Sequence, residues 1–206
     1  MKMTHKIQTK VRNNKIPVCA IIVTKNEEPR SAACLKSVQN FAQIIVVDSN
    51  STDQTTAIAA QYGAKIVNFT WNGQYPKKRQ WCLDTLPLDH DWVLFIDADE
   101  ILTTAAETEI AAIFAAQKTP SCCGYFIRAH YIWQGKLLRH GLQNNKLTLF
   151  DRRKIEFPVI NDLDIPGMGE IEGHYQPTLK PDMPQEKIGH LNAAIIHNID
   201  KDLQHW

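Results

Sequence analysis

Asp97, Asp99 and Glu100 crowd together at the end of the apolar run Trp92-Val93-Leu94-Phe95-Ile96. A run of that length reads as a buried strand, and in open α/β sheets ligands gather at the carboxyl ends of strands. Asp97 and Asp99 are two residues apart, so on extended backbone they project to the same side and can share one cation. Carboxylates this close repel one another unless something positive joins them. A hard divalent ion held jointly by the protein and by substrate phosphates does so. The alternative is a strand end entering a helix N-terminus, where acids suit the macrodipole. The stretch by itself leaves both readings open.

The elements before it repeat one pattern. Residues 17–24 form an apolar run suited to a strand buried on both faces. Pro29 sits where a first helical turn tolerates proline, and Leu35 and Val38 supply an inward helix face. Residues 43–48 are a second strand ending in Asp48. Ser51 and Gln54 have capping-box spacing for a helix closed by Gly63. A third strand is predicted over 64–68, and a helix carrying Trp81 and Cys82 follows the basic segment Lys77-Lys78-Arg79, up to Pro87. Strand–helix alternation of this kind predicts βαβ units and a mainly parallel sheet with Asn26/Glu27, Asp48 and Asp97/Asp99 on one edge.

Beyond the acids, Thr104 and Glu107 have capping-box spacing for a helix to about Gln117. Strands are predicted over 122–133, 146–150 and 188–196. Residues 157–185 are rich in proline, glycine and acids, which predicts a functional loop. Asp200 to Trp206 reads as the start of an amphipathic helix that is cut short.

At 206 residues, 44% hydrophobic and 22% charged, the chain suits one substantial soluble core, and its net charge of +1 by itself points to no acidic or basic partner. Lys2, Lys6, Lys10, Arg12, Lys15 and Lys25 all precede the first acid, Glu27. The first five make residues 1–15 a basic, flexible leader that could touch anionic lipid or nucleic acid, though a solvated tail is the preferred reading, with no apolar core of a secretory signal. No run approaches a membrane span. The five cysteines, Cys19, Cys34, Cys82, Cys122 and Cys123, contain no CxxC pair and read as reduced thiols of a cytoplasmic protein, which argues against zinc.

Val23-Thr24-Lys25-Asn26-Glu27-Glu28, Ile45-Val46-Val47-Asp48-Ser49-Asn50-Ser51-Thr52-Asp53 and Phe95-Ile96-Asp97-Ala98-Asp99-Glu100 occur in that order. Together they resemble the GT-A fold, family 2 inverting glycosyltransferases, in particular the bacterial branch that resembles lipopolysaccharide-core glucosyltransferases. Looser likeness continues through Leu138-Arg139-His140-Gly141, Leu149-Phe150-Asp151-Arg152 and Glu170-Ile171-Glu172-Gly173-His174-Tyr175-Gln176-Pro177. The resemblance implies a nucleotide-diphosphate-sugar donor. Thr24, Asn26 and Glu27 would line the nucleoside pocket, Asp48 would accept from the base, and Lys78 and Arg79 would lie against base or diphosphate. Asp97 would approach the donor ribose or sugar, and Asp99 would bind Mg²⁺ or Mn²⁺ bridging the diphosphate.

Such a transfer develops negative charge on the leaving diphosphate, which a metal ion stabilises as a Lewis acid. A second carboxylate must take the acceptor hydroxyl's proton from the opposite face. Glu172 and, close behind, Glu170 are the candidates, ahead of Asp162 and Asp164; Glu172 is preferred for its neighbours His174, Tyr175 and Gln176. Arg139, His140, Arg152 and His174 are weaker candidates for acceptor or diphosphate contact.

Each residue also has a structural alternative. Asp48 would cap the turn it opens. Arg79 and Lys78 would form a solvated helix face, the default reading for Lys77. Arg139 and Arg152 would pair with loop acids, and His140 and His174 would be turn or core histidines.

The expectation is an α/β, GT-A (Rossmann-like) mixed and mainly parallel sheet flanked by helices, forming one domain over 16–206. Residues 16–118 would serve the donor and 119–206 the acceptor. The expected partners are a nucleotide-sugar donor, a glycan or lipid-linked acceptor and, peripherally, the inner face of the cell membrane, without nucleic acid. Alternatives are a nucleotide-sugar binding module without turnover, given the early stop, and a nucleotidyltransferase, which would normally show a glycine-rich phosphate loop absent from 24–29.

Overall fold

Residues 16–24 extend as β1 (Ile16–Thr24) because nothing in the run favours helix or water: Val18, Cys19, Ala20 and Ile21 have no exposed surface. The computed structural model describes residues 15–115, 119–138, 140, 144–165, 169–172 and 175–199. After β1 come α1 (Glu28–Ser37), β2 (Phe41–Asp48), α2 (Thr55–Gln61), β3 (Lys65–Asn68), α3 (Lys78–Thr85) and β4 (Trp92–Asp97). The second half contains β5 (Glu100–Leu102), α4 (Thr104–Ile113), β6 (Gly124–Trp133), β7 (Lys136–Leu137), β8 (Asn144–Asp151), β9 (Ile155–Glu156), β10 (Thr178–Leu179) and β11 (Ile188–Asn198).

One nine-stranded sheet runs in the order β3-β2-β1-β4-β8-β6-β11-β5, with β7 on β6. β1, β2, β3 and β4 are mutually parallel, as the repeating pattern predicts. β8 enters antiparallel between β4 and β6, and β11 lies parallel to β6. The carboxyl ends of β1, β2, β4, β6 and β11 therefore share one edge. The fold is mixed α/β with a mostly parallel sheet. One apolar core, including Ile22, Leu35, Ile96 and Ile110, packs α1, α2 and α4 on one face. A second, including Ile21, Cys82, Phe95, Phe150 and Phe157, lies under α3 on the other. The five cysteines are free. Among the described residues no helix is long and apolar enough to cross a membrane.

Two predicted caps differ. The cap of α4 is Thr103, one residue early, whose side chain accepts from the Ala106 amide, while Glu107 accepts from the Asn40 side chain. Ser51 does not cap α2. Its hydroxyl donates to Asp48, and the Asp53 carboxylate takes the Thr55 amide instead. The short strand β5 was not foreseen: Glu100 leaves the acidic stretch to pair with β11 opposite His197. The predicted elements beyond residue 199 lie outside the described residues.

Candidate functional site

The β1–β2 corner of the sheet edge is laced by short polar side chains. Asn26 adopts φ 54°, a left-handed conformation that asparagine tolerates better than most residues. From there its side chain accepts the Thr52 amide at 2.8 Å, while its own amide donates to the Ser51 hydroxyl at 2.8 Å. The Glu27 amide donates to the Thr55 hydroxyl, and its carboxylate pairs with Arg30 at 2.6 Å. Asp48 is buried, and its carboxylate accepts from both the amide and the hydroxyl of Ser51. Of its two readings, the turn cap is the one this geometry displays.

β4 delivers the acids into a chain of alternating charge. Asp97 accepts from Arg79 at 2.9 Å and from Lys146 at 2.7 Å. Lys146 also donates at 2.7 Å to Glu100, whose other oxygen takes the Asp97 amide. Glu100 has no exposed surface. Burial opposes charge on Asp97, but Lys146 and Arg79 outweigh it and hold its carboxyl well below the usual carboxylate range. His197, at the end of β11, lies 3.4 Å from both Asp99 and Glu100. Burial disfavours its charge, yet the two carboxylates push its pKa up to about 10.

The segment between β9 and β10 lies across α3 as a strap, and its acids meet consecutive residues there. Asp162 pairs with Lys77 at 2.7 Å and also accepts from the Tyr75 hydroxyl. Glu170 pairs with Lys78 at 2.7 Å, accepts from Ser49, and offers its carbonyl to the Lys78 amide. Glu172 is buried, and its two oxygens accept from the Arg79 amide at 2.9 Å and the Gln80 amide at 3.0 Å. The opening amides of a helix have no intrahelical partner, and the α3 cap residue, Lys77, has no side-chain acceptor. The strap supplies those partners.

This corrects the sequence reading of Lys77. Lys77 is fully buried on Asp162, not solvated. Glu172, the preferred base, closes the positive end of α3 and holds the Arg79 guanidinium through its carbonyl at 2.6 Å. Glu172→Gln keeps one acceptor and loses the charge, so a stability loss of about 1–2 kcal/mol is expected in thermal denaturation. A base would behave the other way, with stability kept and turnover lost.

A cavity of about 260 Å³ at the edge is lined by Thr24, Lys25, Glu27, Lys78, Asp97, Asp99 and Glu170, among others. Inside this corner the Thr24 hydroxyl and Asp99 Oδ1 are buried without hydrogen-bond partners, and so is His197 Nε2. A second cavity of about 210 Å³, on the β8 side, is lined by Arg79, Asp97, Lys146, Thr148, Phe157, Gln176 and His197, among others. Asp97 lines both.

Thr24, Glu27, Lys78, Asp97, Asp99 and Glu170 thus come together, with Arg79 bonded to Asp97. Arg152 does not join them. β8 runs antiparallel to β4, so Arg152 follows it to the opposite edge, where its amide and guanidinium donate to the Asp91 and His90 carbonyls. His140 is exposed, and Arg139 and His174 lie outside the described residues. Sequence reasoning missed Lys146 and His197. His197 had a signal: a strand predicted to end at Ile196 delivers the next residue to the ligand edge. Lys146, at a strand start, had none.

Over residues 19–164 the chain matches the Glycosyl transferase family 2 model, and it belongs to that family. Its sheet is the GT-A arrangement expected from the three motifs, and the family sets aside the nucleotidyltransferase alternative. An uncharacterized glycosyltransferase of Rickettsia felis is 41% identical over 115 residues, covering 54% of this chain and 38% of that one. The lipopolysaccharide core biosynthesis glycosyltransferase LpsC of Rhizobium meliloti is 33% identical over 107 residues, covering 50% and 38%. The matched part therefore spans well under half the length of these relatives. Among solved structures, glucosyl-3-phosphoglycerate synthase from Mycobacterium tuberculosis, in complex with Mn²⁺, UDP and glucosyl-3-phosphoglycerate, has 20% identity and a TM-score of 0.38, covering 57% of this chain and 44% of that one.

Proposed function

We propose that this chain moves a sugar from a nucleoside-diphosphate sugar to a hydroxyl of a glycan or lipid-linked acceptor, with inversion, in the cytoplasm beside the cell membrane. Membership of glycosyl transferase family 2 supports glycosyl transfer. The lipopolysaccharide-core relative supports an acceptor in the cell envelope.

The observation that carries the donor reading is the cavity joining Lys78 to the unpartnered Asp99 Oδ1 at the carboxyl edge of the parallel strands. Lys78 is buried and aimed at a carboxylate, so it suits an incoming phosphate. Thr24, Asn26, Glu27 and Asp48 shape the nucleoside end, and Arg79 with Asp97 faces the sugar.

Asp99 and His197 would hold the divalent metal, Mg²⁺ or Mn²⁺. Asp99 Oδ1 has no hydrogen-bond partner to displace, and His197 Nε2, 3.4 Å from Asp99 Oδ2, would join it on giving up its proton. Among the described residues no group of three His, Cys, Asp or Glu side chains is arranged around one metal position. That fits a hard ion that takes one or two protein ligands and completes its shell with water and phosphate. When bound, such an ion neutralises charge on the departing diphosphate.

Of the four strap acids named from sequence, Glu170 lines the cavity, where it holds Lys78 in the free protein and gives it up to an incoming diphosphate. Incubation with a panel of nucleoside-diphosphate sugars and Mn²⁺ should release nucleoside diphosphate with at least one of them. Binding without release would leave a binding module, and neither binding nor release would remove the donor reading.

A further inference from the structure

The hairpin β6–β7 leaves the sheet at the carboxyl edge and has no part in the donor cavity. Gln134 at φ 47° and Gly135 at φ 71° make a two-residue turn with both residues left-handed, which pairs Trp133 with Lys136 and Ile132 with Leu137. Residues 133–138 are all exposed, with Trp133 at 41%, Leu137 at 46% and Leu138 at 43%. Soluble chains seldom leave three large apolar side chains together at a loop tip without a partner.

Charge indicates which partner. From Ile110 through Phe150 the chain has no Asp or Glu, while Lys118, Arg128, Lys136, Arg139 and Lys146 lie within it. Lys146 is spent on Asp97 and Glu100, and Lys118 and Arg139 lie outside the described residues. Lys136 at the tip and Arg128 on β6 are exposed, as is His130. An exposed tryptophan, two leucines and cations with no ion pair among the described residues together match a bilayer interface, where the ring and aliphatic chains enter the headgroup layer and the cations meet anionic lipid. The other exposed apolar run, Val159 to Ile165, has exposed Asp164 and no cation, so it lacks that complementarity.

We infer that the β6–β7 hairpin docks this protein on an anionic lipid surface, through Trp133, Leu137, Leu138 and Lys136. It sits at the sheet edge that carries the candidate site, so docking would bring a lipid-borne acceptor to that edge. The inference rests on the functional reading for the presence of a membrane nearby, but its test involves no nucleotide. Either can fail alone.

The test is cosedimentation of the full chain with vesicles of mixed phosphatidylglycerol and phosphatidylcholine, and with phosphatidylcholine alone. Binding is expected to the mixed vesicles only, to weaken at high salt, and to fall at least about tenfold for Lys136→Glu. Trp133→Ser combined with Leu138→Ser should lower it as much, with thermal unfolding unchanged in each variant. Absence of binding to mixed vesicles, or equal binding by wild type and both variants, would overturn the inference. So would a wild-type dimer in sedimentation without vesicles that becomes monomeric in the serine variant, because a second copy would then cover the hairpin.

Discussion

Lys146→Met is expected to lower folding stability by about 3–5 kcal/mol, the usual loss when one partner of a buried ion pair is removed. Methionine preserves much of the stem's bulk, so the change isolates the ammonium. Its loss leaves Glu100, which has no exposed surface, facing Asp97 across a gap that Lys146 bridges with two 2.7 Å contacts. Arg79 still reaches Asp97 and His197 still lies 3.4 Å from Glu100, but neither spans both acids. Urea unfolding at neutral pH in the presence of a chelator measures the effect. Lys36→Met, on the exposed face of α1, should stay within about 0.5 kcal/mol of wild type. A Lys146→Met loss no larger than that control would mean that Arg79 and His197 suffice to neutralise the cluster.

Asp99→Ala should abolish the Mn²⁺-dependent part of nucleoside-diphosphate binding and reduce any transfer by at least about 100-fold, since a metal contributes several kcal/mol of charge stabilisation. Stability without metal should fall modestly at neutral pH, because Asp99 lies 3.4 Å from His197 and helps hold its imidazolium charge, while Asp99 Oδ1 has no hydrogen-bond partner and the Arg30 contact, at 3.9 Å, is long. The measurement is thermal shift with a nucleoside diphosphate, with and without Mn²⁺, where a ligand of the native state raises the transition in proportion to its affinity. Equal Mn²⁺-dependent shifts in wild type and Asp99→Ala would remove Asp99 from the metal. The same comparison for His197→Ala tests the partner found only in the fold.

These two side chains illustrate how unevenly the site could be read. Asp99 announced itself in the sequence through neighbours two residues away and a strand pattern just before it. Lys146 looked like any lysine entering a strand. It becomes the centre of the charge network only because β8 inserts antiparallel beside β4, which carries its amino-terminal end to the edge where β4 ends. His197 reaches the acids because β11 lies parallel to β6 and pairs with β5, so that His197 faces Glu100 in the register.

The strap shows the same division in the opposite sense. Its acids were conspicuous in sequence and suggested a base. In the fold Asp162 and Glu172 turn inward, one onto Lys77 and the other onto the opening amides of α3. An acid in an irregular segment carries no local sign of whether it will face substrate or close a helix belonging to another part of the chain.

By itself the amino-acid sequence determined the parallel half of the sheet, the edge at which its acids collect and the family. These depend on local hydrophobic period and on motifs only a few residues long. Only the tertiary structure decided which charges neutralise those acids, which strap carboxylate remains at the cavity and which nitrogen stands beside Asp99. Those contacts join residues far apart in the chain, whose pairing is set by strand order and packing and leaves no trace in the spacing of the sequence.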